Sequence, residues 1–267
     1  MKLTGERPLE GRTPRALVAL HDAGYREVRA RLGTGLVVDV GCGTGDATRS
    51  LAADGRRLIG IDYDTPTAVT SAHRNGLAAV AANGASLPLR ARSIDHVCSS
   101  HLIEHFERPD EHVAEISRVL APSGTAFFIT PNAPADVENP FHLSLFEPQP
   151  LASLLGRFFD DVEVLGLDGD EIVQADFARR RRIAARIAQL DHFGLRHRLP
   201  RRSYVALHGV ARRLLYPVLA LRTKRVPAIT AERYTISPSI DATTLVLFAT
   251  ARRPRSRPYA RSPGRSA

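Results

Sequence analysis

The sequence predicts an α/β fold built on a doubly wound, mostly parallel sheet, with a helical insertion before the last strand. Short apolar segments with the length of buried strands alternate with longer helical segments, which is the pattern of consecutive βαβ units. The first strand runs into a loop with three alternating glycines, and the second ends in a carboxylate. A chain of 267 residues with 43% hydrophobic composition can bury one large core around such a sheet.

The glycine loop follows the first strand, in the run Val-Val-Asp-Val-Gly-Cys-Gly-Thr-Gly-Asp over 37–46. Glycine at alternate positions lets the backbone turn sharply and lets a ligand lie against the main chain. A dinucleotide fingerprint would place its third glycine at position 46, where this chain has Asp46. Asp46 opposes a diphosphate, and Asp39 at the strand end can hold an ammonium group. The loop therefore favours a cationic ligand, which disfavours a dehydrogenase that binds NAD.

The second strand, over 57–62, ends in Asp62. An acidic residue about 20 positions after such a loop usually accepts hydrogen bonds from ribose hydroxyls. Tyr63 follows, and its ring can either lie against an adenine face or pack the strand end. Residues 77–82 predict a third strand, and the Asn-Gly pair at 83–84 after it is also typical of a tight turn.

The run 37–45 resembles the first motif of the class I S-adenosylmethionine-dependent methyltransferases, and the resemblance extends over 36–167. It implies S-adenosylmethionine as cofactor, and it implies that segment 83–88 recognises adenine. The usual residue at position 83 is aspartate; Asn83 keeps an oxygen that can accept from the adenine amine. Segment 93–105 resembles the family's fourth-strand block, which ends beside the methionine part of the cofactor. The residues expected to hold the cofactor are Asp39, Gly41, Cys42, Gly43, Gly45, Asp62, Tyr63, Asn83, Gly84, Ala85 and Ser99.

The fourth-strand block carries three histidines, at 96, 101 and 105. His96 lies inside the strand and is expected to be structural. His105, beyond the strand, can serve as a general base toward an acceptor hydroxyl or amine, because imidazole titrates near neutral pH. His142, in a proline-rich loop over the same sheet edge, is the second candidate base. Methyl transfer from an activated sulfonium depends mainly on positioning and a dry site, so the reaction does not require a base.

The rest of the chain completes a sheet of seven strands, as the resemblance implies. Helices are expected over 109–120 and 150–159, and strands over 125–130, 161–167 and 243–250, the last one antiparallel. A helix that starts at Thr13-Pro14 is expected to cover the site. Its residues His21 and Tyr25 are expected at the surface, and the alternative is that they reach the substrate entrance. The methyltransferase domain is expected over 13–251, between a disordered segment at 1–12 and a basic disordered tail at 252–267.

The insertion over about 172–225 predicts arginine-rich amphipathic helices that choose the substrate. Three interpretations stay open: contact with an anionic membrane that presents a prenylated or other lipid-linked substrate, an acidic soluble substrate, or a solvated helical subdomain. In the third case, its apolar stripe would be buried on the sheet or in a homodimer. The net charge of +9 does not distinguish them.

Several classes of function are disfavoured by the composition and by missing motifs. Cys42 and Cys98 have no companion at zinc spacing, so no metal site is expected. The sequence shows neither a leader nor a membrane-spanning stretch, so the cytoplasm is expected. The fourth strand ends in Ser-Ser-His over 99–101, where similar enzymes that methylate nucleic-acid amines carry Asn/Asp-Pro-Pro-Tyr/Phe; nucleic acid therefore ranks below a small molecule.

The sequence thus predicts an S-adenosylmethionine-dependent methyltransferase that acts on a small molecule, with a hydroxyl oxygen as the expected acceptor atom. The choice of oxygen rests on the resemblance in the Leu-Ile-Glu-His block over 102–105. The alternative from another class is a catalytically idle module that binds the cofactor and senses it or steadies a partner.

Overall fold

The computed structural model describes residues 13–136, 142–189 and 228–255. The strands are β1 (Gly35–Val40), β2 (Arg56–Asp62), β3 (Ala78–Ala81), β4 (Ile94–Ser100), β5 (Leu120–Pro131), β6 (Phe159–Gly169), β7 (Tyr234–Ser237) and β8 (Val246–Pro254). The helices are α1 (Arg15–Arg31), α2 (Asp46–Arg49), α3 (Thr65–Asn75), α4 (Pro109–Val119), α5 (Pro148–Gly156) and α6 (Glu171–Gln189). Single 3-10 turns lie at Ile103–His105, Ala133–Ala135 and Ala231–Arg233.

The strands form one mixed sheet in the order β3-β2-β1-β4-β5-β8-β6-β7. Strands β1 to β5 pair in parallel, and β8 lies antiparallel between β5 and β6. This confirms the predicted doubly wound α/β class and the antiparallel last strand. The predicted count of seven strands was wrong, because Tyr234–Ser237 adds an eighth strand that pairs antiparallel with the end of β6. Its four residues are too few for the period of two to be recognised in the sequence.

The carboxyl ends of the parallel strands meet at one edge of the sheet. Chain order reverses at β1, which pairs with β2 on one side and with β4 on the other. Ligands in open α/β sheets bind outside the carboxyl ends at such a reversal. The glycine loop after β1, Asp62 at the end of β2 and the 3-10 turn after β4 all lie at this edge.

Two apolar clusters cover the opposite faces of the sheet. On one face, α4 and α5 bury Val113, Ile116 and Leu151 against β4, β5 and β8. On the other, α1 and α6 bury Val28 and Phe177 against β1, β5 and β8. The sheet is therefore the middle layer of three, and its strands are held from both sides.

Helix α1, which was predicted to cover the site, packs on one face of the sheet. Tyr25, which the sequence placed at the surface, is 5% exposed because its side chain turns toward β1. His21 stacks on His101, with 4.1 Å between ring centroids, so it reaches the carboxyl end of β4. Arg26 ties the helix to the sheet edge by donating to the carbonyls of Ala231 and Tyr234.

The predicted basic tail begins later than expected. Strand β8 continues to Pro254, and Arg252 is in register with Thr125 of β5 and Asp161 of β6. Pairing with both neighbouring strands satisfies the backbone hydrogen bonds of this segment. The sequence predicted a tail here because the segment is rich in arginine. The predicted disordered segment 1–12, the tail beyond 255 and most of the insertion, 190–225, lie outside the described residues.

Helix α6 is the described part of the insertion. Among the helices in the described ranges, none combines the length and the apolar character needed to cross a bilayer. Arg179 and Arg180 lie 2.7 and 2.5 Å from the two carboxylate oxygens of Asp176, which is 5% exposed. Two arginines of the insertion therefore hold an internal carboxylate, and Val173 and Phe177 of the helix pack on the sheet.

Candidate functional site at the carboxyl edge of the sheet

The glycine loop takes a backbone shape that other residues rarely adopt. Gly41, Gly43 and Gly45 have φ angles of 85°, 56° and 84°. A Cβ at position 43 would meet no atom within 4 Å, whereas one at position 41 would lie 3.1 Å from Leu102. The loop therefore turns through left-handed conformations and leaves open space on Gly43, where a ligand can approach the main chain.

Asp62 fastens this loop to the end of β2. Its Oδ2 accepts from the backbone N–H of Gly43 at 3.1 Å, and its Oδ1 accepts from that of Asp64 at 3.0 Å. A carboxylate oxygen has two lone pairs, so one that accepts a backbone N–H can also accept from a ribose hydroxyl. Asp62 is 5% exposed, and it therefore links the loop shape to the place where a ribose is expected.

Tyr63 presents its ring to solvent directly after Asp62, and its side chain is 62% exposed. This exposure excludes the alternative that the ring packs the strand end. A large exposed aromatic side chain next to the open glycine loop is suited to stacking on a planar ligand.

Asp39 lies beneath the loop and is not presented to a ligand. Its carboxylate is fully buried and accepts from the Tyr25 hydroxyl at 3.0 and 3.2 Å and from the Thr48 hydroxyl at 2.5 Å. Burial raises the pKa of Asp39 to about 6, an effect that these hydrogen bonds only partly offset. Asp39 is thus held beneath the loop by the hydroxyls of α1 and α2, and its direct contact with the cofactor stays a prediction.

Cys42 and Gly45 contribute backbone to the loop, and the Cys42 side chain points into the protein. The Cys42 Sγ lies 2.8 Å from where a Cβ on Gly60 of β2 would stand, so the thiol packs over that glycine. Gly45 lies directly before α2. Only the main chain at these positions can contact a ligand at the loop.

The segment after β3 forms the Asn-Gly turn that the sequence left as an alternative. The Asn83 Oδ1 accepts from the backbone N–H of Ala85 at 2.9 Å, and Asn83 itself is exposed. Gly84 is closely surrounded: an added Cβ would lie 3.1 Å from Phe106 and 3.2 Å from His112. The turn is therefore pressed against the segment that follows β4.

Ser99 does not face the site. It is fully buried, and its hydroxyl lies 2.8 Å from the Nε2 of His112, whose Nδ1 lies 2.9 Å from the Gly84 carbonyl oxygen. Since a carbonyl only accepts, Nδ1 carries the proton and Nε2 accepts from Ser99. Burial lowers the pKa of His112 to about 4, so the ring is neutral at neutral pH. The Ser99 side chain therefore bridges β4 to the Asn-Gly turn through His112, and a contact of Ser99 with the cofactor stays a prediction.

A cluster of imidazoles and carboxylates occupies the ends of β4 and β5. Its centre is Glu104, whose side chain is 1% exposed. The Glu104 Oε2 accepts from the Thr130 hydroxyl at 3.1 Å. Within the described residues, Oε1 accepts no hydrogen bond, and the nearest imidazole nitrogens are His101 Nδ1 at 3.5 Å and His142 Nε2 at 4.0 Å.

The two candidate bases, His105 and His142, meet in this cluster, with 5.1 Å between their ring centroids. The His142 Nδ1 lies 3.0 Å from the Asp136 Oδ2. Backbone N–H groups of Leu143 and Ser144 donate to the Glu104 carbonyl at 2.7 and 3.0 Å, and these bonds hold the segment after His142 against the 3-10 turn. The structure therefore joins two residues that the sequence could propose only separately.

Burial by itself raises the pKa of Glu104. The imidazole of His101 beside it and the charges of His105 and His142 lower that pKa more strongly, so it lies below its ordinary value. The carboxylate is thus kept ionised although it is buried. His101 adopts a φ of 49°, which is uncommon for a side chain with a Cβ and places its ring between Glu104 and His21.

The sequence interpretation missed several residues of this region: Tyr25, Glu104, His112 and Asp136. Glu104 carried a recognisable signal, since it lies directly before His105 in the block that follows β4. His112 also did, because it occurs on the apolar face of the amphipathic helix α4. Tyr25 and Asp136 carried none, because their partners are distant along the chain.

The described residues fit S-adenosylmethionine in part. The open face of Gly43, the side chain of Asp62 that is hydrogen-bonded to it and the exposed ring of Tyr63 next along the chain offer groups suited to a ribose and a base. The side chains of Asp39 and Ser99 are buried, and their contacts with the cofactor stay predictions. The glycine loop and the end of β2 are the part of the site that fits the cofactor.

Comparisons with known proteins agree with this geometry. Residues 38–128 match the family model described as "Methyltransferase domain". A probable S-adenosylmethionine-dependent methyltransferase of Mycolicibacterium smegmatis is 33% identical over 171 residues, which cover 61% of this chain and 66% of that protein. The ubiquinone biosynthesis O-methyltransferase of Hahella chejuensis is 34% identical over 120 residues, which cover 40% of this chain and 48% of that protein.

A crystal structure of an S-adenosylmethionine-dependent methyltransferase from Thermotoga maritima has a TM-score of 0.56 at 13% identity, and the alignment covers 89% of this chain and 91% of that one. This likeness concerns the fold. The chain spans about half to two thirds of the length of the curated relatives it matches. Together with the glycine loop and the strand order, the matches show that the matched part of the chain is a class I S-adenosylmethionine-dependent methyltransferase domain.

Proposed function

We propose that this protein transfers a methyl group from S-adenosylmethionine to a hydroxyl oxygen of a small molecule. One observation carries the cofactor half of the proposal: the left-handed Gly43, open on its ligand side, is hydrogen-bonded through its N–H to Asp62. The cofactor can approach the backbone of Gly43 closely, and Asp62 can accept hydrogen bonds from its ribose hydroxyls. The buried Asp39 supports the loop from below.

When bound, the cofactor supplies a methyl group on a positively charged sulfur, and transfer to an acceptor oxygen leaves the bonding electron pair on sulfur and releases the acceptor proton. The protein's own contribution is to orient the acceptor and exclude water. Loop 41–45 and the Glu104 cluster lie at the same edge of the sheet, after neighbouring strands β1 and β4. The cluster is therefore our proposed acceptor side of the site.

His142 is the better placed of the two candidate bases. With Nδ1–H donated to Asp136, its Nε2 lone pair points toward the cluster. A carboxylate on Nδ1 fixes this tautomer and supports the imidazolium formed when Nε2 takes a proton. His105, one ring away, is the second group that can receive the acceptor proton.

Oxygen as the acceptor atom is supported by the name of the Hahella chejuensis relative, an O-methyltransferase. A hydroxyl needs to lose its proton during transfer, and the cluster offers imidazole nitrogens for that purpose. A cytoplasmic location, a homodimer and contact with an anionic membrane stay predictions.

The cofactor is tested by calorimetric titration of the full chain with S-adenosylhomocysteine, with NAD as the matched nucleotide control. Micromolar binding of S-adenosylhomocysteine without binding of NAD is expected, and Asp62→Ala should weaken it at least tenfold. Absence of binding to the wild-type protein would remove the proposed function.

Transfer is then tested with methyl-labelled S-adenosylmethionine and a panel of small phenols, alcohols and amines. Label is expected on hydroxyl-bearing acceptors. A protein that binds S-adenosylhomocysteine but labels only amines would contradict the oxygen assignment. A protein that binds it and labels no acceptor, in a panel widened to thiols and activated carbons, would favour the idle module.

A further inference from the structure

We propose that Glu104, His105 and His142 form a binding site for a divalent transition-metal cation. One ligand atom from each residue can be chosen so that all three lie within 4.8 Å of one another. Ligand atoms that share a cation at about 2 Å lie roughly 3–4 Å apart, so small side-chain rotations would bring these three atoms into one coordination shell. The sequence predicted no metal site, because the third ligand comes from a distant segment.

The first supporting observation is the state of Glu104. One of its oxygens is held by Thr130, while Oε1 is buried and accepts no hydrogen bond in the described part of the chain. A buried carboxylate oxygen without a donor is costly in a protein interior. The His142 Nε2 lies 4.0 Å from this atom, which leaves room for a cation between them at ordinary ligand distances of about 2 Å.

The second observation is the orientation of His142. Asp136 lies 3.0 Å from its Nδ1, on the side of the ring away from Glu104. Metal-binding histidines usually donate their other N–H to a carboxylate, which fixes the tautomer and makes the ligand nitrogen more basic. Here Asp136 is the carboxylate on Nδ1, and the Nε2 on the other side of the His142 ring faces Glu104.

The ligand set selects the class of cation. Two imidazoles and one carboxylate suit Zn²⁺, Mn²⁺, Fe²⁺ or Co²⁺, whereas Ca²⁺ and Mg²⁺ prefer oxygen ligands alone. Three protein ligands leave at least one coordination position for a further donor. His101, whose Nδ1 lies 3.5 Å from Glu104 Oε1, borders the same space.

A cation at this site would take part in the proposed methyl transfer, and this part of the inference rests on the proposed function. A hydroxyl of the acceptor would complete the coordination, and the cation would lower the pKa of that hydroxyl so that its proton is lost to bulk solvent as the acceptor binds, before methyl transfer. His142 then uses its Nε2 lone pair as a ligand, which replaces the base role. The acceptor class would be small molecules with an oxygen donor able to bind the cation.

The test is calorimetry of the chelator-treated full chain with Zn²⁺, followed by Co²⁺ absorption spectroscopy to show coordinated nitrogen and oxygen ligands. We expect one Zn²⁺ per chain. Glu104→Gln and His142→Asn should each weaken Zn²⁺ binding at least tenfold. Asp136→Ala should weaken it by about 10–100-fold, the range found for partners of metal-binding histidines.

His73→Asn is the matched control, because His73 is exposed on α3. Its Zn²⁺ affinity should equal that of the wild type. S-adenosylhomocysteine binding and thermal unfolding of each variant show whether it is folded. If the wild-type protein binds S-adenosylhomocysteine but binds none of Zn²⁺, Mn²⁺ and Co²⁺, the metal site is overturned and the proposed function is not. Zn²⁺ binding that persists undiminished in folded Glu104→Gln or His142→Asn would also overturn it.

Discussion

The hydroxyl of Tyr25 lies 3.0 and 3.2 Å from the two carboxylate oxygens of Asp39, beneath the glycine loop. This contact joins helix α1 to strand β1, and the Thr48 hydroxyl of α2 completes it. The carboxylate that the sequence presents as a ligand contact is therefore an internal support. Its partners hold the strand from which the loop departs.

Replacing Tyr25 with Phe should lower the free energy of unfolding by about 1–3 kcal/mol, because a buried carboxylate loses a donor. Urea unfolding at pH 7 measures the change. Tyr63→Phe is the matched control: the exposed ring makes it a surface substitution, and its effect should stay within about 0.5 kcal/mol. Equal losses in the two variants would contradict a structural role for the contact between Tyr25 and Asp39.

Asp39 should impose a pH dependence on stability. Burial raises its pKa from 3.8 to about 6, so the folded protein binds this proton more tightly than the unfolded chain does. The resulting stabilisation is full below pH 3.8 and is lost as the pH rises through about 6. Asp39→Asn removes this titration, so its stability relative to the wild type should improve by roughly 2–3 kcal/mol across that window. Urea unfolding at several pH values measures it, and a constant difference would contradict the assignment.

His112 should change the pH dependence of stability in the direction opposite to that of Asp39. Burial lowers its pKa from 6.5 to about 4, so the unfolded chain binds the proton more tightly. Its neutral ring contributes stability that is present above pH 6.5 and is lost as the pH falls through about 4. His112→Gln, which can still donate to Gly84 and accept from Ser99, should show a weaker loss of stability on acidification. Urea unfolding at the same pH values measures this loss, and His73→Asn is the control because His73 is exposed on α3. If the free energy of unfolding of His112→Gln falls on acidification as steeply as that of the wild type, His112 does not titrate as expected.

The open face of Gly43 allows a matched pair of substitutions. Gly43 and Gly76 have φ angles of 56° and 62°, and a Cβ at either position would meet nothing within 4 Å. Gly43→Ala and Gly76→Ala should therefore lose similar stability, about 1–2 kcal/mol from left-handed strain. Only Gly43→Ala should also weaken S-adenosylhomocysteine binding, at least tenfold, because its methyl group occupies the ligand side of the loop. Calorimetry and urea unfolding separate the effects, and equal affinities would place the cofactor elsewhere.

Much of the fold could be predicted from the sequence because its signals are local. Apolar runs that end at Val40 and Asp62 predicted β1 and β2 to within two residues, and Pro109 marked the start of α4. The strand predictions failed where pairing with a neighbouring strand, and not the local sequence, decides the structure. Four residues at 234–237 form a strand only because the end of β6 lies beside them, and Arg252 belongs to a strand because β5 and β6 flank it.

For the site, the sequence by itself determined the residue types: a glycine loop that needs left-handed backbone, an acid at the end of the next strand, and histidines after the fourth strand. These requirements are backbone conformation and side-chain chemistry, which a local pattern can express. Only the tertiary structure decided which side chains face outward. Asp39 turned inward because Tyr25 and Thr48 satisfy it, Tyr63 stayed outside, and His142 reached Glu104 because the segment after it is hydrogen-bonded to the turn after β4. Burial and hydrogen-bond partners depend on contacts between distant segments, and these arise only when the chain folds.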